Sequence, residues 1–224
     1  MKPSQISVVI PTLDEEAVVG DAVRSALAAG ATEVIVCDGG SRDQTIREAT
    51  TAGASKIIRS LPGRGIQLNA GAVFASREVV LFLHADCRLS EAALLQICEL
   101  PDSLWGAFVQ QIEADRFGYR LLEKGNALRV KYRSLPFGDQ AIFVRRNVYK
   151  EQGGFEEIPL MEDLAFSKRM RKIAKPVLLP GPVTMSPRHW KKRGILRQTA
   201  FNFWLQLSYA SGVTPERLAK RYRR

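Results

Sequence analysis

The sequence predicts an α/β fold with a mostly parallel central sheet flanked by helices, and three observations carry that expectation. Apolar, β-rich runs alternate with segments of helical period from residue 6 to residue 86, giving the pattern βαβαβαβ. The strand-like runs are nearly continuous in Val, Ile and Leu, as in strands covered by helices on both faces. At 224 residues with 46% hydrophobic content, the chain is long enough for one domain with a sizeable core and at most an appendage.

The elements follow in order. "ISVVIP", residues 6–11, reads as a first strand, and the amphipathic stretch from Glu15 to Ala29 as a helix. "EVIVCD" is a second strand, followed by a helix from about Arg42 to Ala52, the strand "SKIIRS", a helix from Ile66 to Ala75, and the strand "VVLFLHAD". In such sheets ligands bind beyond the carboxyl ends of strands. The informative residues are therefore Pro11-Thr12-Leu13-Asp14-Glu15-Glu16, Asp38-Gly39-Gly40-Ser41 and His84-Ala85-Asp86, which converge on one edge. Gly39 and Gly40 let the backbone approach a ligand and Ser41 can cap the next helix, although an ordinary βα turn would use the same four residues. "GRGIQLNAG", residues 63–71, sets the cation Arg64 before a helix N-terminus, a place for an anion. It lacks both the G-K-[ST] ending of a P-loop and the G-x-G-x-x-G spacing. Farther on, "EDLAFSKRM" puts Glu162 and Asp163 in the first turn of an amphipathic helix, where the dipole favours negative charge. A helix-capping pair would look the same.

Cys37, Cys87 and Cys98 form an odd set with no C-x-x-C pair, so neither a disulfide framework nor a cysteine zinc site is expected, and a reducing, cytoplasmic setting fits. The apolar run after the N-terminus is short and followed by carboxylates, unlike a signal peptide. The net charge of +10 is concentrated in the tail. From Arg188 onward ten Lys/Arg face Glu216 alone, so residues 1–187 carry 23 basic against 22 acidic side chains and give no reason to expect nucleic-acid binding by the main body. Between Arg197 and Glu216 lie 18 uncharged residues in which Gln198, Asn202 and Gln206 form a polar stripe four residues apart. This stretch is too polar to span a membrane. The basic clusters Lys191–Arg193 and Lys220–Arg224 suit a helix lying on an anionic membrane surface, and packing on the core or on a second copy in a homodimer is the other reading.

Taken together and in order, "VVIPTLDEE", "VCDGGSRDQT", "GRGIQLNAG", "LFLHAD", "FGDQAIFVRR" and "GGFEEIPLMEDLAFSKRM" resemble a family 2 glycosyltransferase of the GT-A fold over roughly residues 4 to 180. More narrowly, "RHWKKRGILRQ" and "GVTPERLAKRYRR" are similar to the C-terminal part of short bacterial members of the arsenosugar-biosynthesis type. The resemblance implies a GT-A domain over residues 1–187, a basic helical extension over 188–224, and a metal-dependent, inverting transfer from a UDP- or GDP-sugar to an acceptor. Pro11, Thr12, Asp14 and Glu15 would line the nucleotide pocket, Asp38 beside Gly39 would accept a hydrogen bond from the base, and Arg64 would lie near the base or diphosphate. Asp86 stands where the family's D-x-D motif ends, as a ligand for Mn²⁺ or Mg²⁺, with Ala85 in the middle and His84 in place of the first aspartate. Asp163 would be the general base and Glu162 its support, with Asp139 as the competing base and Gln140 beside it at the pocket's border. Arg188 could reach the diphosphate, and His189 could serve as a further metal ligand. The implied location is the cytoplasm, or the inner face of the membrane. Two rivals stand beside this reading. A sugar-phosphate nucleotidyltransferase would show a glycine-rich signature after the first strand, where "PTLDEE" has none; a non-catalytic lipid- or nucleic-acid-binding protein would act through the basic tail.

Overall fold

The computed structural model describes residues 1–100, 103–187, 190 and 194–222. Its first part is the expected alternation: β1 (Ile6–Thr12), α1 (Val19–Ala28), β2 (Glu33–Asp38), α2 (Thr45–Thr51), β3 (Lys56–Arg59), α3 (Arg64–Phe74) and β4 (Val79–Phe82). β1 runs parallel to β2 on one side and β4 on the other, and β3 adds beyond β2. Every residue of β1, β2 and β4 is buried, as helices on both faces require. β3 departs from the expectation of a fully covered strand. It is the edge of the sheet, with Lys56 and Arg59 exposed and Ile57 and Ile58 half-buried, and edge charges deter pairing with other chains.

The first helix also begins later than its periodicity suggests. The Glu15 amide donates to Thr45 Oγ1 at 2.8 Å and the Glu16 amide to Asp43 Oδ2 at 3.1 Å, so these residues are held as a loop against the start of α2. α3 lies on β1 and β2, and Gly71 sets the approach. A Cβ at this position would come within 2.4 Å of Val9 Cγ1 and 2.7 Å of Cys37 Sγ, closer than packed atoms tolerate.

The second part comprises β5 (Cys87–Leu89), α4 (Ala93–Cys98), β6 (Trp105–Ile112), α5 (Phe117–Arg133), β7 (Phe143–Arg145), α6 (Arg146–Glu151), α7 (Glu162–Met170), β8 (Val177–Met185), α8 (Ile195–Ala210) and α9 (Pro215–Tyr222). The strand order is β3-β2-β1-β4-β7-β6-β8-β5. β7 runs antiparallel to both β4 and β6, β8 is parallel to β6, and β5 pairs antiparallel with β8. Four strand steps separate β4 from β5, about 19 Å in a flat sheet. The chain from Phe82 to Cys87 reaches about 17 Å even when fully extended, and a turn closed by the Cys87 amide on His84 O shortens it further. The sheet therefore curls, bringing its far edge back towards β4.

Two large apolar clusters lie on the two faces of the sheet, one around Ile10, Leu81 and Phe108, the other around Phe82, Trp105 and Phe166. A third, smaller cluster of Leu135, Met161, Leu164, Leu205 and Leu218 ties α8 and α9 to α7. Among the described residues no helix is long and apolar enough to cross a membrane.

Candidate active site

The carboxyl ends of β1 and β4 meet at one cleft of about 320 Å³, and the end of β2 lies beside that of β1. α3 binds the strand ends together. Gln67 Nε2 donates to Thr12 O at 2.6 Å and to Cys37 O at 2.9 Å, while the Gly39 amide donates to Thr12 O at 2.9 Å. Asp38 closes its own turn. Its Oδ2 accepts the amides of Gly40 and Ser41, each at 2.9 Å, and its Oδ1 accepts the Ser41 hydroxyl. Asp14 is exposed with a left-handed backbone, φ 54°, and its Oδ1 accepts the Arg42 amide at 2.8 Å.

Of the residues singled out from sequence, Pro11, Glu15, Arg64, His84, Ala85, Asp86, Asp139 and Asp163 line this cleft. Thr12, Asp14, Asp38, Gly39 and Gln140 stand around or behind it rather than on its wall. Arg188 and His189 lie outside the described residues, as do Lys191 to Arg193.

Arg64 and α7 form the centre of the site. Arg64 Nε donates to Glu162 Oε1, and Glu162 is 1% exposed. Burial pushes the Glu162 carboxyl up against the pull of Arg64. For Arg64 burial opposes the charge, but the Glu162 and Asp163 carboxylates outweigh it and hold the guanidinium above its ordinary range. Asp163 is gripped by backbone, its Oδ2 accepting the Gly138 amide at 2.9 Å and its Oδ1 the Leu164 amide at 2.7 Å. Met161, just before the pair, has φ 72°, a left-handed conformation that costs a non-glycine residue about 1–2 kcal/mol and re-aims the start of α7.

Gly138 is where the loops touch. A Cβ there would lie 2.5 Å from His84 Nε2 and 3.4 Å from Asp163 Oδ2, so only glycine lets the 84–86 loop and α7 close on each other. Next to it, Asp139 Oδ2 accepts Gln110 Nε2 at 2.9 Å, whereas its buried Oδ1 has no hydrogen-bond partner among the described residues. Burial raises the Asp139 carboxyl; Arg129 opposes the shift and Asp163 adds to it.

A layer of side chains unforeseen from sequence supports this loop. Arg129 of α5 donates to Asn126 Oδ1 at 2.8 Å, Gln140 Oε1 at 2.8 Å and Leu135 O at 3.0 Å, and lies 3.5 Å over the Phe137 ring. Asn126 in turn donates to Gln110 Oε1 at 2.6 Å. Gln140 is fully buried, with its amide nitrogen on Phe108 O, so it props the loop from behind. The opposite wall comes from the tail. Gln198 and Asn202 of the polar stripe, bonded to each other at 2.8 Å, face the cleft together with Trp190 and Tyr222.

Among the described residues no three His, Cys, Asp or Glu side chains gather as a metal cage. The donor set still fits a hard divalent ion. Such ions on nucleotide phosphates take one or two protein carboxylates and draw their other ligands from phosphate and water, and Asp86 with the His84 imidazole beside it lines the open cleft.

Residues 7–152 match the profile of glycosyl transferase family 2. The chain belongs to that family. The match ends before α7, so the Glu162–Asp163 pair and the tail are described by geometry alone. Solved structures place this family 2 chain in the GT-A fold. It is similar to S. aureus TarS 1–349, with a TM-score of 0.64, 19% identity, and coverage of 81% of this chain and 60% of that one. The same fragment in complex with UDP-GlcNAc gives 0.63 at 17% identity, over 81% of this chain and 58% of the other. Glucosyl-3-phosphoglycerate synthase from Mycobacterium tuberculosis, in complex with Mn²⁺, UDP and glucosyl-3-phosphoglycerate, gives 0.56 at 20% identity, over 81% of this chain and 70% of that one. The family 2 chain thus spans less than two thirds of the TarS fragment's length. No curated protein matches it.

Proposed function

We propose that this chain is a metal-dependent, inverting glycosyltransferase that moves a sugar from a UDP- or GDP-sugar to a hydroxyl acceptor, with Asp163 as general base. The observation that carries the reading is the cleft itself. Arg64, anchored by Glu162, lines it together with Asp163 and Asp86, at the carboxyl ends of β1 and β4. The nucleotide and metal complexes of the similar structures support the donor class.

In this mechanism Asp163 accepts the proton of the acceptor hydroxyl as that oxygen attacks the anomeric carbon from the face opposite the nucleotide. The bond from carbon to diphosphate breaks with its electron pair going to the diphosphate, so a single displacement inverts the centre through an oxocarbenium-like transition state. Amides of Gly138 and Leu164 hold both Asp163 oxygens, which fixes the direction of the remaining lone pairs. Glu162 keeps Arg64 extended into the cleft, where its charge offsets that of the leaving group. Asp86, with His84 and His189 as further candidates, would hold Mn²⁺ or Mg²⁺, which when bound neutralises charge on the diphosphate. Thr12, Asp14, Asp38 and Gly39 shape the nucleotide pocket from behind, and Pro11 and Glu15 form its wall. Arg188 is assigned to the diphosphate, and the division at residue 187 separates the catalytic domain from the extension. Kinship with the arsenosugar-biosynthesis type and a cytoplasmic, membrane-peripheral location belong to the same proposal, resting on the tail sequence.

Thermal denaturation tests it. UDP or GDP raises the melting temperature, Mn²⁺ enlarges the rise, and Asp86→Asn removes the Mn²⁺ increment without unfolding the protein. The absence of any shift from any nucleoside diphosphate, with or without a divalent ion, overturns the donor site.

A further inference from the structure

A second cavity, of about 880 Å³, opens from the first and lies between α5, α8 and the loop leading into α7. Arg64, Phe137, Asp139, Asp163 and Asn202 line both, so the two spaces are continuous and the two aspartates stand at their junction. The volume lies towards the upper end of small-molecule sites, about 300–1,000 Å³.

Away from the junction the lining turns apolar. α5 supplies Leu121, Leu128 and Tyr132, the loop before α7 supplies Leu160, and α8 supplies Phe203. Leu121, Leu128 and Phe203 remain 55%, 51% and 57% exposed, although α5 buries only Tyr119 and Val130 against the core. Large apolar side chains left open around a cavity that ends on catalytic carboxylates mark a binding surface. The half-buried Arg129 is already engaged, donating to Asn126, Gln140 and Leu135, and the other cation on the wall away from the junction, Arg133, is exposed to water. At the junction the orphaned Asp139 Oδ1 is an acceptor waiting for a donor, the requirement a ligand hydroxyl meets.

We infer that the acceptor is an amphiphilic diol: one hydroxyl donates to Asp139 Oδ1, its neighbour gives its proton to Asp163 as it attacks, and the hydrocarbon chain occupies the α5–α8 cavity. This rests on the transferase reading, and it names the acceptor class that reading leaves open. The polar and apolar ends of the acceptor match the polar and apolar ends of one continuous space. The transfer itself is the displacement described above, with the lipid hydroxyl as nucleophile and its proton passing to Asp163.

The test uses the full chain with UDP and Mn²⁺ present, and 1-monoacylglycerols of rising chain length, below their micellar concentrations, as probes against glycerol. Each buried methylene strengthens binding about fourfold, so affinity read from melting temperature and tryptophan fluorescence should climb steeply with chain length until the cavity is full. Leu121→Glu and Leu128→Glu, at half-exposed positions that spare the core, should abolish the climb while leaving the UDP–Mn²⁺ shift intact. Glycerol matching the long-chain probes, or a climb unchanged in both variants, overturns the acceptor assignment and leaves the transferase reading standing. Loss of the UDP–Mn²⁺ shift in the wild-type chain overturns the transferase reading instead.

Discussion

Asp163 and Asp139 are neighbouring carboxylates in different surroundings, and that difference underlies the roles proposed for them. Both oxygens of Asp163 are oriented by backbone amides, whereas Asp139 has one oxygen on Gln110 and one buried without a partner. Asp163→Asn should lower turnover by about 10²–10⁴-fold while the UDP–Mn²⁺ shift stays, and near wild-type turnover in that variant would move the base to Asp139. Because burial raises the Asp139 carboxyl, the folded state binds its proton more tightly than the unfolded chain. Stability from this group is therefore greatest in acid and declines as pH climbs from the ordinary aspartate value through the raised one. Asp139→Asn should gain stability relative to wild type as pH rises from about 4 to 7, measured by paired melting curves; a constant difference across that range would remove the effect. Gly138→Ala should push His84 aside and lower both turnover and the Mn²⁺ increment, at a stability loss of about 1–3 kcal/mol. The cleft-lining residues legible in the sequence were those at strand ends and helix starts, Arg64, Asp86 and Asp163 among them. Arg129 was not, because in a helix as rich in charge as "FGYRLLEKGNALRVKYR" nothing local marks one arginine as the partner of a distant loop.

Elements were readable where burial is periodic and unreadable where a distant side chain decides. Nothing near residue 15 reveals that Asp43 and Thr45 will capture its backbone and delay α1, and an apolar run such as "KIIR" does not announce that its strand will be the edge. Glu33 shows how one side chain binds several elements at the end of the sheet away from the site. It accepts the Ser7 hydroxyl of β1, the Ser76 amide at 2.8 Å before β4, and Lys56 of β3 at 3.0 Å. Burial opposes its charge, but these bonds prevail and bring the carboxyl down to about 2. A depressed carboxyl stabilises the fold above the ordinary glutamate value and loses that contribution as pH falls from about 4.5 to about 2, an effect on the order of 3 kcal/mol. Glu33→Gln should therefore lower the melting temperature at pH 7 and flatten its acid limb while the UDP–Mn²⁺ shift is kept. An unchanged acid limb would show that the network contributes nothing.

At the scale of the whole molecule, the alternation of strands and helices made the fold class legible, but the direction faced by the tail was not. The Gln198–Asn202–Gln206 spacing is visible in the sequence, yet periodicity cannot say whether water, lipid or an active site lies opposite, and the structure turns the stripe's first two residues towards the cleft. Leu205 and Leu218 are 2% and 0% exposed against Met161 and Leu164. A chain ending at residue 194 should consequently expose apolar surface beside the Glu162–Asp163 pair, lose solubility and lose turnover. A soluble, fully active truncation would make the tail an independent appendage. Vesicle sedimentation of the full chain with and without anionic lipid measures any membrane role separately, and equal recovery from neutral and anionic vesicles would exclude one that depends on the basic charge. The curl of the sheet has a further consequence, in the order of biosynthesis. β5 is completed by pairing with β8, whose residues 177–185 leave the ribosome long after residues 87–89. The strands β1, β2 and β4 and helix α3 can assemble early, while the loop bearing Asp86 stays tethered at one end until β8 arrives. A nascent or prematurely terminated chain would hold half of the cleft's frame before the Asp86 loop was fixed, so this topology makes a complete cleft among the last properties the polypeptide acquires.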